Sequence, residues 1–241
     1  MRGWGGPITR EWLNARKFRL TASNFGAAAG HCKHNPPMGL VRDMLWHVFQ
    51  GNEMTRYGTE NEQQAFDAYQ AHGVLAQRDQ VAAGTRPAHR LGFLANEVGL
   101  HIHPEHHWLG VSPDGLVDTV DPATGAVKRH LIEIKCPWKC KNRPLHLGDD
   151  FYPVEDLPGG LQLPIPHYYF DQMQGIMGAL GLPFAEFIVW TSKEMQITHV
   201  PFLPDYWKNE LFPALRAFYF DKFVPAAVRF LNGELMPGNV R

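Results

Sequence analysis

The run Leu131-Ile132-Glu133-Ile134-Lys135-Cys136-Pro137 constrains this chain more than any other stretch. Its apolar residues and closing proline read as a buried strand, yet it carries a glutamate and a lysine two positions apart. Side chains alternate across a strand, so Glu133 and Lys135 share one face with Leu131, while Ile132 and Ile134 point the other way. Charges inside such a strand are costly unless they are paired or bind a metal. Upstream, Ser112-Pro113-Asp114-Gly115 sets an aspartate in a tight corner. The turn Asp121-Pro122-Ala123-Thr124-Gly125 makes a hairpin of the strands Gly115–Asp118 and Arg129–Lys135. That hairpin carries Asp114 to Glu133 across 19 residues of sequence. An aspartate and a glutamate converging on one point form a hard-oxygen site for Mg²⁺, and the adjacent lysine would hold or polarise a water. This donor set points to phosphodiester chemistry.

Composition limits the setting of such a site. At 241 residues the chain makes one large domain or two small ones, with ample core for independent stability. No apolar run approaches the roughly 20 residues of a membrane span. The N-terminus has Arg2, Trp4 and Arg10 but no continuous apolar segment, so it does not read as a signal peptide. Three cysteines, Cys32, Cys136 and Cys140, cannot all pair. They imply a reducing compartment, the cytoplasm or a host nucleus. A formal net charge of −1 does not advertise a nucleic-acid partner, so any DNA surface must be local.

Along the chain, Thr9 precedes a helical stretch to Lys17, and Ser23 reads as the N-cap of a short helix. Met38–Val48 is a further helix. In Thr55–His72, Glu62, Ala65, Phe66 and Tyr69 fall on one face, so Glu62 points where the apolar face points. A surface glutamate with a buried stem is the competing reading. Strand candidates are Gly92–Leu94, His101–His103, Leu109–Ser112 and the two hairpin arms. The polar, Pro- and Gly-rich stretch after Pro137, as far as Pro166, reads as an irregular functional loop. A helix from His167 to Leu180, strands Ala185–Thr191 and Met195–Pro201, and a last helix Tyr206–Asn232 complete the chain. This order predicts an α/β fold with a mixed sheet flanked by helices. It also predicts one domain, 1–241: a helical part at 9–75, the sheet at 90–201 and the C-terminal helix at 206–232.

The segments Ser-Pro-Asp-Gly-Leu and Glu-Ile-Lys-Cys-Pro resemble the signature of PD-(D/E)XK nucleases, in the form found in lambda exonuclease, viral alkaline exonucleases and YqaJ-type recombinases. The resemblance extends to Trp12-x-x-x-Arg16 with Thr21-Ala22-Ser23, to Gly58-x-x-x-Glu62 and to Tyr169-x-x-Gln172-x-Gln174. These elements stand in the family's order. The Pro144–Pro166 part of the loop looks longer than the family pattern.

The resemblance implies a restriction-endonuclease-like core and a role for each matched residue. Asp114, Glu133 and the Ile134 carbonyl would bind Mg²⁺, for which Mn²⁺ would substitute, and Glu62 would serve a second metal position. Lys135 would orient or deprotonate the attacking water, and Gln172 would help hold that water or the lysine. Arg16 and Ser23 would bind the 5′-phosphate of the digested strand. The implied activity is 5′→3′ exonuclease digestion of double-stranded DNA from its ends, releasing mononucleotides. The implied partners are a single-strand annealing protein and two further copies of the chain, in a homotrimer. Other expectations compatible with the residues are an endonuclease or repair nuclease without end preference, and an inactive DNA-binding module.

Several groups receive plainer readings. Glu60 precedes Glu62 by two residues, but the apolar face and the glycine spacing favour Glu62. Glu105 is the acidic residue upstream of the Asp114 corner, without a clear role. His101, His103, His106 and His107 have spacing a transition metal would accept, but no cysteine is near, and they read as a polar strand edge. The three cysteines are one short of an iron–sulfur set and read as buried thiols. Trp138, Lys139, Lys141 and Arg143 read as a backbone-contacting or a solvated loop. Phe218, Tyr219, Phe220 and Phe223 read as core or a subunit interface.

Overall fold

The computed structural model describes residues 10–46, 51–85, 93–96, 99–121, 123–149, 152–158 and 160–236. Thr9, Val48, Gly92, Pro122 and the side chain of Trp12 lie outside the described residues.

The charged strand forms as the alternation predicts. It is β6, Val127–Lys135, numbered after five earlier strands: β1 (Leu20–Thr21), β2 (Phe93–Asn96), β3 (His101–Ile102), β4 (Leu109–Val111) and β5 (Gly115–Val120). β6 lies third in a five-stranded sheet that also takes in β9 (Phe184–Trp190) and β10 (Met195–Pro201), in the order β10-β9-β6-β5-β2. The β5–β6 hairpin is antiparallel, with Gly115 opposite Ile132. β6 and β9 are parallel, with Glu133 opposite Phe187, so the sheet is mixed. A parallel pair needs a long crossover, and a helix spanning Tyr168–Leu180 supplies it.

The helices before it are α1 (Arg10–Arg16), α2 (Phe25–Ala29), α3 (Pro37–Trp46) and α4 (Glu53–Ala82), so the crossover helix is α5. Ile132 and Ile134 pack with Val117 and Ile188 against Ala65, Phe66 and Tyr69 of α4. On the other face Leu131 joins Phe187 and the α5 residues Phe170, Met173, Ile176 and Met177. Burying each such side chain contributes about 1.5–3 kcal/mol. The two helices therefore clamp opposite faces of one strand.

A second sheet, β1-β4-β3, brings the N-terminal segment in: β1 runs parallel to β4, pairing Thr21 with Gly110. α2 crosses α5 at Gly26, where an added Cβ would lie 2.4 Å from the Tyr168 Cβ. Only glycine allows that approach.

Four expectations need correction. Ser23 is not the N-cap of α2: it lies exposed in a 3₁₀ turn, Ala22–Asn24, and Asn24 takes the cap position. α4 starts two residues early, at an Asn52–Thr55 capping box, and runs ten residues beyond His72. Nothing stops it until Gly84, at φ 72°. The 144–166 stretch is not wholly irregular, since it holds the hairpin β7 (Glu155–Leu157) and β8 (Gly160–Gln162). Tyr152, Val154 and Leu163 anchor it in the core. The last helix is a run over 204–231 that alternates α and π turns. Within that run Phe218 and Phe223 are core, and Phe220 is exposed. No helix among the described residues is long and apolar enough to cross a membrane.

Candidate metal and phosphodiester site

The site forms where the C-terminal end of β6 meets the Asp114 corner. Gly115 lets the corner sit flush on β6, since an added Cβ would meet Ile132 at 2.8 Å and Phe66 at 3.3 Å. Asp114 Oδ2 then accepts the Ile134 backbone N–H at 2.7 Å. A strand residue turns its N–H and C=O to the same edge, so the Ile134 carbonyl also looks toward Asp114.

Glu133 is buried, with 1% of its surface exposed. Its Oε1 accepts from Lys135 Nζ at 2.6 Å and from Gln172 Nε2 at 2.6 Å. Its Oε2 has no hydrogen-bond partner. A buried carboxylate oxygen without an N–H or hydroxyl donor calls for an explanation, and a cation between it and the Asp114 carboxyl, with which Glu133 also shares a hydrogen bond, would supply one. Burial pushes the Glu133 carboxyl pKa up, and the Asp114 carboxylate pushes it further. Asp114 is raised by burial and by the charge of Glu62, with which its side chain also shares a hydrogen bond. Burial works against the Lys135 ammonium, but Glu133 and Asp114 outweigh it and hold the group well above the usual lysine range. Two acids thus act on one lysine, and a third, Glu62, acts on Asp114.

The structure brings together Asp114, Glu133, Ile134, Lys135, Gln172 and Glu62. Glu60 is exposed, as the face argument requires. Among the described residues no three His, Cys, Asp or Glu side chains enclose a metal position by themselves. That fits a cation held by two carboxylates and a carbonyl, with water and substrate phosphate completing the shell, which is how Mg²⁺ is usually bound. The orphaned Glu133 Oε2 and the acid-rich donor set fit the group.

The α5 motif divides into two faces. Gln172 reaches Glu133, whereas Gln174 points away, donating to the Pro201 carbonyl at 2.7 Å and accepting from Leu203 N–H at 2.8 Å. Tyr169, one turn before Gln172, places its ring 5.1 Å from Lys135 Nζ and packs on Phe187. The resemblance matches Tyr169 without implying a role for it; its three-residue spacing from Gln172 is the signal that sets both toward β6.

Arg16 and Ser23 enter through the N-terminal segment, which runs beside β4 toward the Asp114 corner. Arg16 Nη2 donates to Thr21 Oγ1 at 2.9 Å. The histidine group serves a turn: His103 Nδ1 accepts the backbone N–H groups of Glu105 and His106, each at 3.2 Å. Among the cysteines Cys140 is buried and Cys32 and Cys136 are half-buried, and all three are free thiols.

Fold and candidate site together describe an α/β chain whose mixed sheet is flanked by helices on both faces. The sequence matches the YqaJ-like viral recombinase domain model over residues 11–182, and the chain belongs to that family. Among solved structures it is similar to an alkaline exonuclease (LHK-Exo) from Laribacter hongkongensis. The match has 23% identity and a TM-score of 0.61, covering 94% of this chain and 97% of that one. The complex of LHK-Exo with dAMP gives a TM-score of 0.62 at the same identity and coverage. No curated protein sequence matches the chain.

Proposed function

We propose that this chain is a Mg²⁺-dependent deoxyribonuclease that digests linear double-stranded DNA 5′→3′. It would release mononucleotides and leave 3′ single-stranded overhangs for recombination by single-strand annealing. The observation that carries the proposal is the buried Glu133 Oε2, left without a donor beside Asp114. Membership of a recombinase family supports the DNA substrate.

Asp114, Glu133 and the Ile134 carbonyl would hold Mg²⁺, with Mn²⁺ substituting and Glu62 serving a second position. Bound there, the cation would supply an activated water and neutralise charge on the leaving oxygen. The chain's own residues do the rest. Gln172 fixes the Glu133 carboxylate. Lys135, steadied by Glu133 and by the Tyr169 ring, offers an ammonium to the attacking water or to the phosphorane-like charge. Arg16 supplies a planar fork suited to a terminal phosphate, and Ser23 adds an exposed hydroxyl. The 5′-end preference rests on these two residues. The trimer and the annealing partner follow from the family resemblance, and a cytoplasmic or host-nuclear setting from the three cysteines; all three belong to the same proposal, as does a single nuclease domain over 1–241.

Linear duplex labelled separately at its 5′ and 3′ ends tests activity, polarity and end preference together. Mg²⁺-dependent release of the 5′ label first is expected, and slower release after Arg16→Ala. Cutting of closed circular DNA would replace the exonuclease with an endonuclease. Hydrolysis unaffected by Lys135→Ala would remove the catalytic assignment.

A further inference from the structure

Residues 137–141, just after β6, form a built cationic feature that the phosphodiester site does not use. Pro137 and Cys140 are buried and hold a 3₁₀ turn, Trp138–Cys140, against the start of α4. Lys141 follows that turn. Its N–H bonds to the Trp138 carbonyl at 3.2 Å, and its carbonyl accepts from the Ser192 hydroxyl at 2.7 Å. The backbone is therefore fixed on both sides. The Lys141 ammonium sits 4.5 Å from the centre of the Trp138 ring and 6.0 Å from that of Tyr57. Among the described residues no carboxylate forms an ion pair with it. Exposed Lys193 stands beside Ser192 in the same turn.

The feature borders the acids. The Tyr57 hydroxyl feels Cys136, and Cys136 in turn feels Glu62 and Asp114. It lies on the α4 side of the sheet, whereas the Ala22–Asn24 turn that carries Ser23 packs on α5.

We propose that Lys141, pinned by Trp138 and Tyr57, is a phosphate subsite for the backbone of duplex DNA, on the side of the carboxylates away from Arg16 and Ser23. The inference rests on the nuclease reading and adds a contact to it. A lysine free on a surface loses rotamer freedom when it binds an anion. One already held over two aromatic faces loses less. A phosphodiester is the anion that a strand leaving the acidic site brings to this position. Two fixed cationic points on opposite faces would hold the duplex across the acids, which by themselves repel it.

Fluorescence anisotropy of a labelled 5′-phosphorylated duplex tests this, with the full chain in Ca²⁺ in place of Mg²⁺ and salt varied from about 50 to 200 mM. Each phosphate contact contributes about 0.9 to the slope of log K against log salt. Lys141→Ala should flatten the slope by about that amount. Its disadvantage relative to wild type should then shrink about threefold across the salt range. Trp138→Ala should weaken binding in the same direction, and Trp138→Phe should restore it, which a merely structural role would not do. Lys128→Ala, on an exposed lysine paired with Asp121 at the far end of β6, serves as control. An unchanged slope in Lys141→Ala, an equal change in Lys128→Ala, or no duplex affinity in the wild type overturns the subsite. Failure of the wild type to digest linear duplex is a separate result, which breaks the nuclease reading instead.

Discussion

Two glutamates on neighbouring strands, Glu133 on β6 and Glu186 on β9, stand one register step apart and face opposite sides of the sheet. Their environments differ in what each carboxylate is given. Glu186 takes the Tyr69 hydroxyl on Oε2 and has His130 Nε2 at 3.4 Å. Burial raises its pKa, but hydrogen bonds from His130 and Tyr69 outweigh that and leave it below the ordinary value. Glu133 receives Lys135 and Gln172 on one oxygen, nothing on the other, and a second acid alongside, so its pKa rises. A half-buried carboxylate with its partners in place stabilises the fold. A buried one left half-satisfied beside another acid costs stability, and a bound cation would relieve that cost.

The largest effects should fall on the unsatisfied side. Asp114→Asn keeps an acceptor for the Ile134 N–H but removes the charge facing Glu62 and Glu133. Loss of metal-assisted stabilisation worth several kcal/mol should lower digestion by about 10³-fold or more. Yet in EDTA the same variant should melt about 2–4 °C higher than wild type, the equivalent of about 1 kcal/mol of relieved repulsion. A lower melting point in EDTA would mean that the acids are already compensated, and the contrast with Glu186 would collapse.

Glu186→Ala probes the satisfied side. It removes the acceptor shared by the Tyr69 hydroxyl and the His130 ring, which still meet each other at 3.2 Å, a loss of about 1–3 kcal/mol. Each kcal/mol lowers the melting temperature by about 2–4 °C in a chain of this size. Digestion by the folded variant should be retained. Activity loss without destabilisation would place Glu186 in the site instead.

The smallest effect is a pH dependence. Because the Glu186 pKa is depressed on folding, the stability it adds is present above the ordinary glutamate value near 4.3. It is lost as pH falls through the lower folded value. The gap in melting temperature between wild type and Glu186→Ala should therefore narrow from pH 7 to pH 3. Tyr69, His130 and His199 are the titratable groups that face it.

The same contrast explains what sequence could reveal. Glu133, Lys135 and the opposed isoleucines follow from period-two alternation within one strand, and Glu62 follows from its own helix face. Asp114 needed only a hairpin, the most local of tertiary pairings. Tyr69, His130 and Glu186 were invisible as a group because the contacts span 61 and 117 residues. Nothing local marks that glutamate as paired. The β7–β8 hairpin leaves no mark in the sequence because both strands are three residues long and exposed, with no alternation to read. Its anchors, Tyr152, Val154 and Leu163, are single apolar residues whose burial depends on distant partners. The far half of α4 lacks an apolar stripe, since Gln77 is its one buried residue past Tyr69 among those described.

The most direct measurement is calorimetric titration of Mg²⁺ into the metal-free wild type, Asp114→Asn and Glu186→Ala. Saturable binding is expected in the wild type and in Glu186→Ala, and loss of binding in Asp114→Asn. Equal binding in wild type and Asp114→Asn would contradict a cation seated between Asp114 and the open oxygen of Glu133.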